Sequence, residues 1–195
     1  KSAQPEAMPT RTEALKVISE LTDRKTVLLA TTGKTGRELF EVSDLPNNLY
    51  MVGSMGCISS LALGLALNRK DLKIIAIDGD GSAIMRLGSF ATNGYYQPAN
   101  LLHILLDNNA HDSTGGQSTV SHFIDMPGHA ASAGYPIVDK VNNLQELKQG
   151  IEVWKKEGGL TFIYLKISKG SPGELGRPTV KPREVKDRLM KFMEV

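Results

Sequence analysis

The sequence predicts an α/β protein, a parallel sheet with helices on both faces, and three observations carry that prediction. Short apolar runs at residues 26–30, 73–77, 101–106 and 160–167 lack polar alternation, as strands buried on both faces require. Segments of helical spacing lie between most of them, and parallel strands need such crossovers. The chain's 195 residues, 41% hydrophobic and 23% charged, suit one domain with a substantial core and would be cramped as two.

Residues 1–9, with their Pro, Ser, Gln and Glu, read as an interdomain linker that something precedes; the domain itself runs over 10–195. Thr10 and Glu13 have capping-box spacing and Leu15, Ile18 and Leu21 recur on one face, predicting a helix over 10–21. The strand at 26–30 then ends in a loop over 31–35. A strand at 49–52 precedes a helix over 56–67, and the strand at 73–77 precedes one over 82–95. After the strand at 101–106, residues 107–121 are too polar and Gly-rich for regular structure. There follow a helix near 127–133, a strand at 136–138, a helix over 144–156 capped by Asn142 or Asn143, the strand at 160–167 and a helix from about 182. No internal repeat or low-complexity tract is present.

A formal net charge of +2 with scattered basic residues leaves no electrostatic footprint for nucleic acid. No apolar stretch approaches the roughly 20 residues of a membrane span, so no membrane association is expected. Cys57, the only cysteine, cannot pair internally, and its apolar neighbours predict a small buried thiol in a reducing, cytoplasmic setting.

In a parallel α/β fold the ligand sits beyond the carboxyl ends of the strands, which singles out the loops 31–35, 53–56, 78–82 and 107–117. Asp78-Gly79-Asp80-Gly81-Ser82 sets a carboxylate between two glycines where a strand meets a helix. The glycines permit close backbone approach, the helix start offers N–H groups to phosphate, and the carboxylate is a hard ligand for Mg2+. Taken alone the segment serves equally well as an ordinary turn. Asp107-Asn108-Asn109 ends the next strand, with Asn108 28 residues beyond Asp80, so both reach the same sheet edge. One Mg2+ there can take the Asp80 carboxylate, the Asn108 amide oxygen, a backbone carbonyl and diphosphate oxygens. Gly33-Lys34-Thr35 is no P-loop, because Leu28 stands where the first glycine is needed. Lys34 is then a solvated loop residue or a cation near an anion. A dinucleotide fingerprint also fails, Ile84 replacing its third glycine.

Gly79-Asp80-Gly81 with its distant Asn pair resembles the signature of the thiamin-diphosphate-dependent enzymes, and from Thr10 onward the chain is similar to the diphosphate-binding domain of that family's 2-oxoacid decarboxylases. The resemblance implies thiamin diphosphate and Mg2+ as cofactors, with Asp80, Asn108 and the Ala110 carbonyl as metal ligands and Asn109 as the alternative to Asn108. Asp107 stands where the signature has an asparagine. Thr32, Gly33, Gly53, Ser54, Met55, Gly79, Gly81, Ser82, His111 and Ser113 are implied to adjoin the cofactor. Met55 would be the wedge that bends it, though a core methionine is the plain reading, and the Gly53 carbonyl would accept from the aminopyrimidine.

The run His111-Asp112-Ser113-Thr114-Gly115-Gly116-Gln117, with Ser118 to Ser121 and Glu174-Leu175-Gly176-Arg177-Pro178, is similar to family members acting on phosphonopyruvate. The implied activity is its decarboxylation to phosphonoacetaldehyde and CO2. Sulfopyruvate as substrate, or a noncatalytic cofactor-binding or assembly domain, are the alternatives. His111 and Asp112 are the implied catalytic pair, against a packed loop histidine and a loop cap. His122 and His129 read as structural. The basic residues after 177 read as a solvated helix face, with Arg177 the one placed to reach a phosphonate. The implied partners are a small anionic 2-oxoacid, a pyrimidine-binding domain that nothing in this sequence resembles, and further copies in a homo-oligomer.

Overall fold

The computed structural model describes residues 7–194. Most of the expected linker, residues 1–6, lies outside the described residues. In chain order the elements are α1 (Arg11–Glu20), β1 (Thr26–Ala30), α2 (Lys34–Val42), β2 (Asn48–Tyr50), α3 (Ile58–Asn68), β3 (Lys73–Gly79), α4 (Asp80–Met85), α5 (Gly88–Tyr96) and β4 (Leu101–Asp107). They continue with β5 (Ala110–His111), β6 (Gln117–Ser118), a 3-10 turn (Ser121–Phe123), α6 (Met126–Ser132), β7 (Ile137–Val141), α7 (Leu144–Glu157), β8 (Thr161–Lys166) and α8 (Pro182–Phe192).

Six strands form one parallel sheet in the order β2-β1-β3-β4-β8-β7, while β5 and β6 make a separate antiparallel pair. Alternate residues of the central strands feed two cores. Val27, Leu29, Ile74 and Ala76 pack with Ile58, Ala62 and Phe90 of α3 and α5, and with Met126 and Ala130 of α6. Leu28, Ala30, Ile75 and Ile77 pack on the other face with Leu15, Leu39, Ile151 and Trp154 of α1, α2 and α7. Helices therefore cover both faces, as the unbroken apolar strands require. No described helix is long and apolar enough to cross a membrane.

The Thr10 capping box forms: its hydroxyl accepts from Glu13 N at 3.2 Å, and its own N–H donates to Glu13 Oε2 at 2.8 Å. Asn143 rather than Asn142 caps α7, accepting from Glu146 N at 2.9 Å. Four local expectations change. The helix α2 was not expected, since Thr35 and Gly36 weaken its propensity; Gly36 is there because a Cβ would lie 3.0 Å from Thr31 O. The helix expected over 82–95 starts at Asp80 and breaks at Arg86, which leaves helical geometry at φ −138°. The loop expected to be irregular holds the β5–β6 pair and the 3-10 turn, entered through Asn109 at φ +55°, a conformation asparagine tolerates. Cys57 is half-buried rather than buried.

Candidate active site

The strand order reverses at β1, whose neighbours are β2 and β3, so the chain leaves β1 and β3 in opposite directions. Such a switch point opens a crevice at the carboxyl edge, and here it is a groove lined by residues 31–35 after β1, 79–82 after β3, and Asn108, Ala110, His111, Asp112 and Ser113 after β4. Arg11, Met55 and Leu106 complete the wall. The residues expected to act together thus line one groove, except Gly53 and Ser54, which lie exposed on a positive-φ turn beside it, at φ +68° and +49°.

Asp80 begins α4 and is buried, its Oδ2 accepting from the Thr119 hydroxyl. Ser121 Oγ lies 3.1 Å from the same oxygen and 2.9 Å from Oδ1 of Asp107, the buried last residue of β4. One hydroxyl proton cannot serve both carboxylates. Asp107 has further donors in Tyr164 OH at 2.6 Å, Asn109 N at 2.8 Å and Lys166 Nζ at 3.2 Å. Asp80 has no cation among these contacts, and burial pushes its carboxyl above the ordinary range, with Asp107 adding in the same direction against the Thr119 and Ser121 hydroxyls. A buried carboxylate in that condition fits a divalent cation. The available donors are hard oxygens: Asp80, Asn108 Oδ1 and the Ala110 carbonyl. Among the described residues no three His, Cys, Asp or Glu side chains converge on a metal position, so the remaining ligands would have to come from a bound diphosphate and water.

Asn108 is held in place. Its Oδ1 accepts from Ala110 N at 3.1 Å and its Nδ2 donates to Asp112 Oδ2 at 2.6 Å. That same Asp112 oxygen receives Arg11 at 2.8 Å and Gly170 N at 3.2 Å, and Arg11 also pairs with buried Glu38 at 2.7 Å. Arg11 is therefore the middle of a largely buried ion-pair chain, Glu38–Arg11–Asp112, joining α1, α2 and the β5–β6 loop. His111 has a different setting: its ring lies against Gly81, where a Cβ would come within 2.6 Å of Cε1 and 2.7 Å of Nδ1. The Ser82 hydroxyl ties the walls together, contacting Thr31 Oγ1 at 2.8 Å and accepting from Gly56 N at 3.0 Å.

The helix α2 starts in the groove at Gly33, φ +95°, with no side-chain cap, and Lys34 is its first residue. Unpaired N–H groups of a helix start attract anions, and a lysine there opposes the dipole unless an anion joins them. Arg11, Glu38, Thr119, Lys166 and Tyr164 were not singled out as site residues from sequence. Two of them carried a signal: Lys166 as a cation near the carboxyl end of an apolar strand, and Thr119 as a member of the run from Ser118 to Ser121. His122 and His129 lie outside the groove; His122 Nδ1 is 3.0 Å from Thr119 O, and the His129 ring packs on Phe90. Beneath the site Asp78 and His103 form a buried pair at 3.4 Å, with Tyr135 OH 3.1 Å from His103 Nδ1.

Residues 32–165 match the family model described as thiamine pyrophosphate enzyme, C-terminal TPP binding domain. The phosphonopyruvate decarboxylase of Streptomyces hygroscopicus is 44% identical over 96% of this chain and 46% of its own length. The sulfopyruvate decarboxylase subunit beta of Methanococcus maripaludis is 36% identical over 93% of this chain and 96% of its own length. The chain thus spans about half the length of the phosphonopyruvate decarboxylases it matches. Among solved structures, benzoylformate decarboxylase from Polynucleobacter necessarius shares the fold at a TM-score of 0.70 and 19% identity, covering 88% of this chain and 36% of that one.

Proposed function

Because the chain belongs to the thiamine pyrophosphate enzymes, through their C-terminal TPP-binding domain, we propose that it supplies the diphosphate- and Mg2+-holding half of a 2-oxoacid decarboxylase acting on phosphonopyruvate. The observation that carries this reading is the switch-point groove, which brings Asp80, Asn108, the Ala110 carbonyl and the start of α2 to one place. Asp80, Asn108 and Ala110 would hold Mg2+. The N–H groups of Gly33, Gly81 and Ser82, with Thr32 and Ser113, would hold the diphosphate.

Bound thiamin diphosphate would supply a carbanion nucleophile for the ketone and a sink for the electrons released with CO2. The chain's own part is binding, orientation and proton handling. Met55, in the groove wall, would press the cofactor toward its bent form, with Gly53 and Ser54 completing that turn once the pyrimidine domain covers it. His111 is the group we assign to proton movement, since its ring faces the groove over Gly81. Asp112, expected to share that task, has three partners on one oxygen, so we assign it to fixing Asn108 and Arg11 instead. The missing half is a pyrimidine-binding domain, on the same polypeptide or a partner subunit, in a homo-oligomer. A cytoplasmic setting, expected from the unpaired Cys57, belongs to the same proposal.

A second reading, the beta subunit of a sulfopyruvate decarboxylase, is favoured by the coverage of 96% of the Methanococcus maripaludis relative. CO2 release from phosphonopyruvate, sulfopyruvate and pyruvate, measured on the intact enzyme with thiamin diphosphate and Mg2+, separates the readings. Phosphonopyruvate turnover that Asp80→Ala abolishes is the expected result. Preference for another oxoacid moves the substrate, and no turnover on any leaves a noncatalytic cofactor-binding module.

A further inference from the structure

A second cavity of about 390 Å³ adjoins the groove. It shares Thr32, Gly33, Met55 and Ser113 with the groove but none of the Asp80, Gly81 or Asn108 end. Two arginines line it: Arg37 from α2 and Arg177 from the segment before α8. They are brought there by a clip, because Glu41, one turn along α2 from Arg37, accepts from Gly176 N at 2.9 Å instead of pairing with Arg37. Among the described residues neither arginine has a carboxylate partner. Arg37 is half-buried and Arg177 exposed, so two cations line one solvent-open cavity with no carboxylate paired to either, a setting that attracts an anion.

We propose that this chamber, between Arg37 and Arg177, is the subsite for the tetrahedral acid group of the substrate. The inference rests on the oxoacid decarboxylase reading and adds where the second anionic end of the substrate lies. The cavity meets the groove at Met55 and at Thr32, Gly33 and Ser113, the near side of the diphosphate site, and extends away from Asp80, so a three-carbon oxoacid with its ketone over Met55 would place its phosphonate in the chamber. Guanidinium forks suit such oxygens, since each offers paired N–H donors to a tetrahedral oxyanion.

The test is equilibrium binding of 3-phosphonopropionate, an unreactive probe that lacks the ketone, to the intact cofactor-loaded enzyme and to its Arg37→Gln and Arg177→Gln variants. Each substitution is expected to raise the probe's Kd by about 10- to 100-fold, the usual loss for a charge-assisted hydrogen bond, with the Kd of thiamin diphosphate unmoved. No binding to the unsubstituted enzyme, an unchanged Kd in the variants, or a parallel loss of thiamin diphosphate affinity would each overturn the subsite. Phosphonopyruvate turnover by the unsubstituted enzyme judges the decarboxylase reading separately, so the two failures are distinguishable. Arg177→Lys adds a control for local distortion: it keeps the charge without the fork, and its Kd is expected between those of the unsubstituted enzyme and Arg177→Gln.

Discussion

A missing side chain at Gly81 decides where His111 lies. Any Cβ at position 81 would come within 2.6 Å of the imidazole and 3.4 Å of Thr119 Cγ2, so the ring would have to move. The obstacle is a side chain rather than backbone, so the fold should survive at a cost of about 1–3 kcal/mol. Turnover should suffer more, because displacement of a reacting group by an ångström costs on the order of 100-fold. Gly81→Ala is therefore expected to lower kcat of the intact enzyme about 100-fold while its melting temperature falls by only a few degrees. An unchanged kcat would remove His111 from the chemistry. The same scale explains why Asp112 is a poor proton carrier: its Oδ2 already accepts from Arg11, Asn108 Nδ2 and Gly170 N.

Docking of α8 controls the segment that carries Arg177. Val185 and Leu189 bury its apolar stripe, and Arg188 grips Asp44 through two hydrogen bonds of 2.6 and 2.9 Å. Tyr50 OH of β2 donates to the same carboxylate at 2.8 Å. The Arg188 guanidinium holds the Asp44 carboxyl below the ordinary range, more strongly than partial burial opposes it. A carboxyl with a depressed folded value contributes stability above the ordinary Asp range and loses it as pH falls through the lowered value. Asp44→Asn is thus expected to cost about 0.5–1 kcal/mol at pH 7, measured by urea unfolding, after allowing for solvent at a partly exposed pair. The difference from the unsubstituted chain should close below the ordinary Asp range. A difference that persists unchanged in strong acid would mean the loss is packing, not charge. The basic face of α8 was expected to be wholly solvated; Arg183 and Lys186 are exposed, whereas Arg188 is part of the dock.

At the scale of the molecule, the proposed function makes the groove a half-site. Its floor and one wall come from this sheet, while the turn at Gly53 and Ser54 and the apolar side chains of Val52, Leu61, Met85 and Tyr95 stand exposed. A cofactor held only at its diphosphate is poorly oriented, and orientation is where most of the rate would come from. The 195-residue chain by itself is expected to bind thiamin diphosphate with Mg2+ weakly and to release no CO2 steadily from phosphonopyruvate, activity returning when a pyrimidine-binding domain is added. Steady turnover by the chain alone would refute the division of labour.

The sheet strands, most helices and the Asp80–Asn108 pairing were legible because each is a local signal: apolar runs at 26–30 and 101–106, a capping box at Thr10, glycines flanking a carboxylate at a strand end. The helix α2 was not, because Gly36 and Thr35 are chosen for close contact with Thr31 and the groove, not for helix propensity. Nor was the ion-pair chain legible, since Arg11 and Asp112 are 101 residues apart and no periodicity links them. Sequence by itself determined the fold class and the chemical kind of site, through patterns that repeat within a turn or a strand. Which carboxylate is left without a cation partner, which is spent on an arginine, and that Arg37 and Arg177 share a chamber were decided by tertiary structure, because sheet order, helix docking and loop contacts such as Glu41 with Gly176 N set the distances between remote charges.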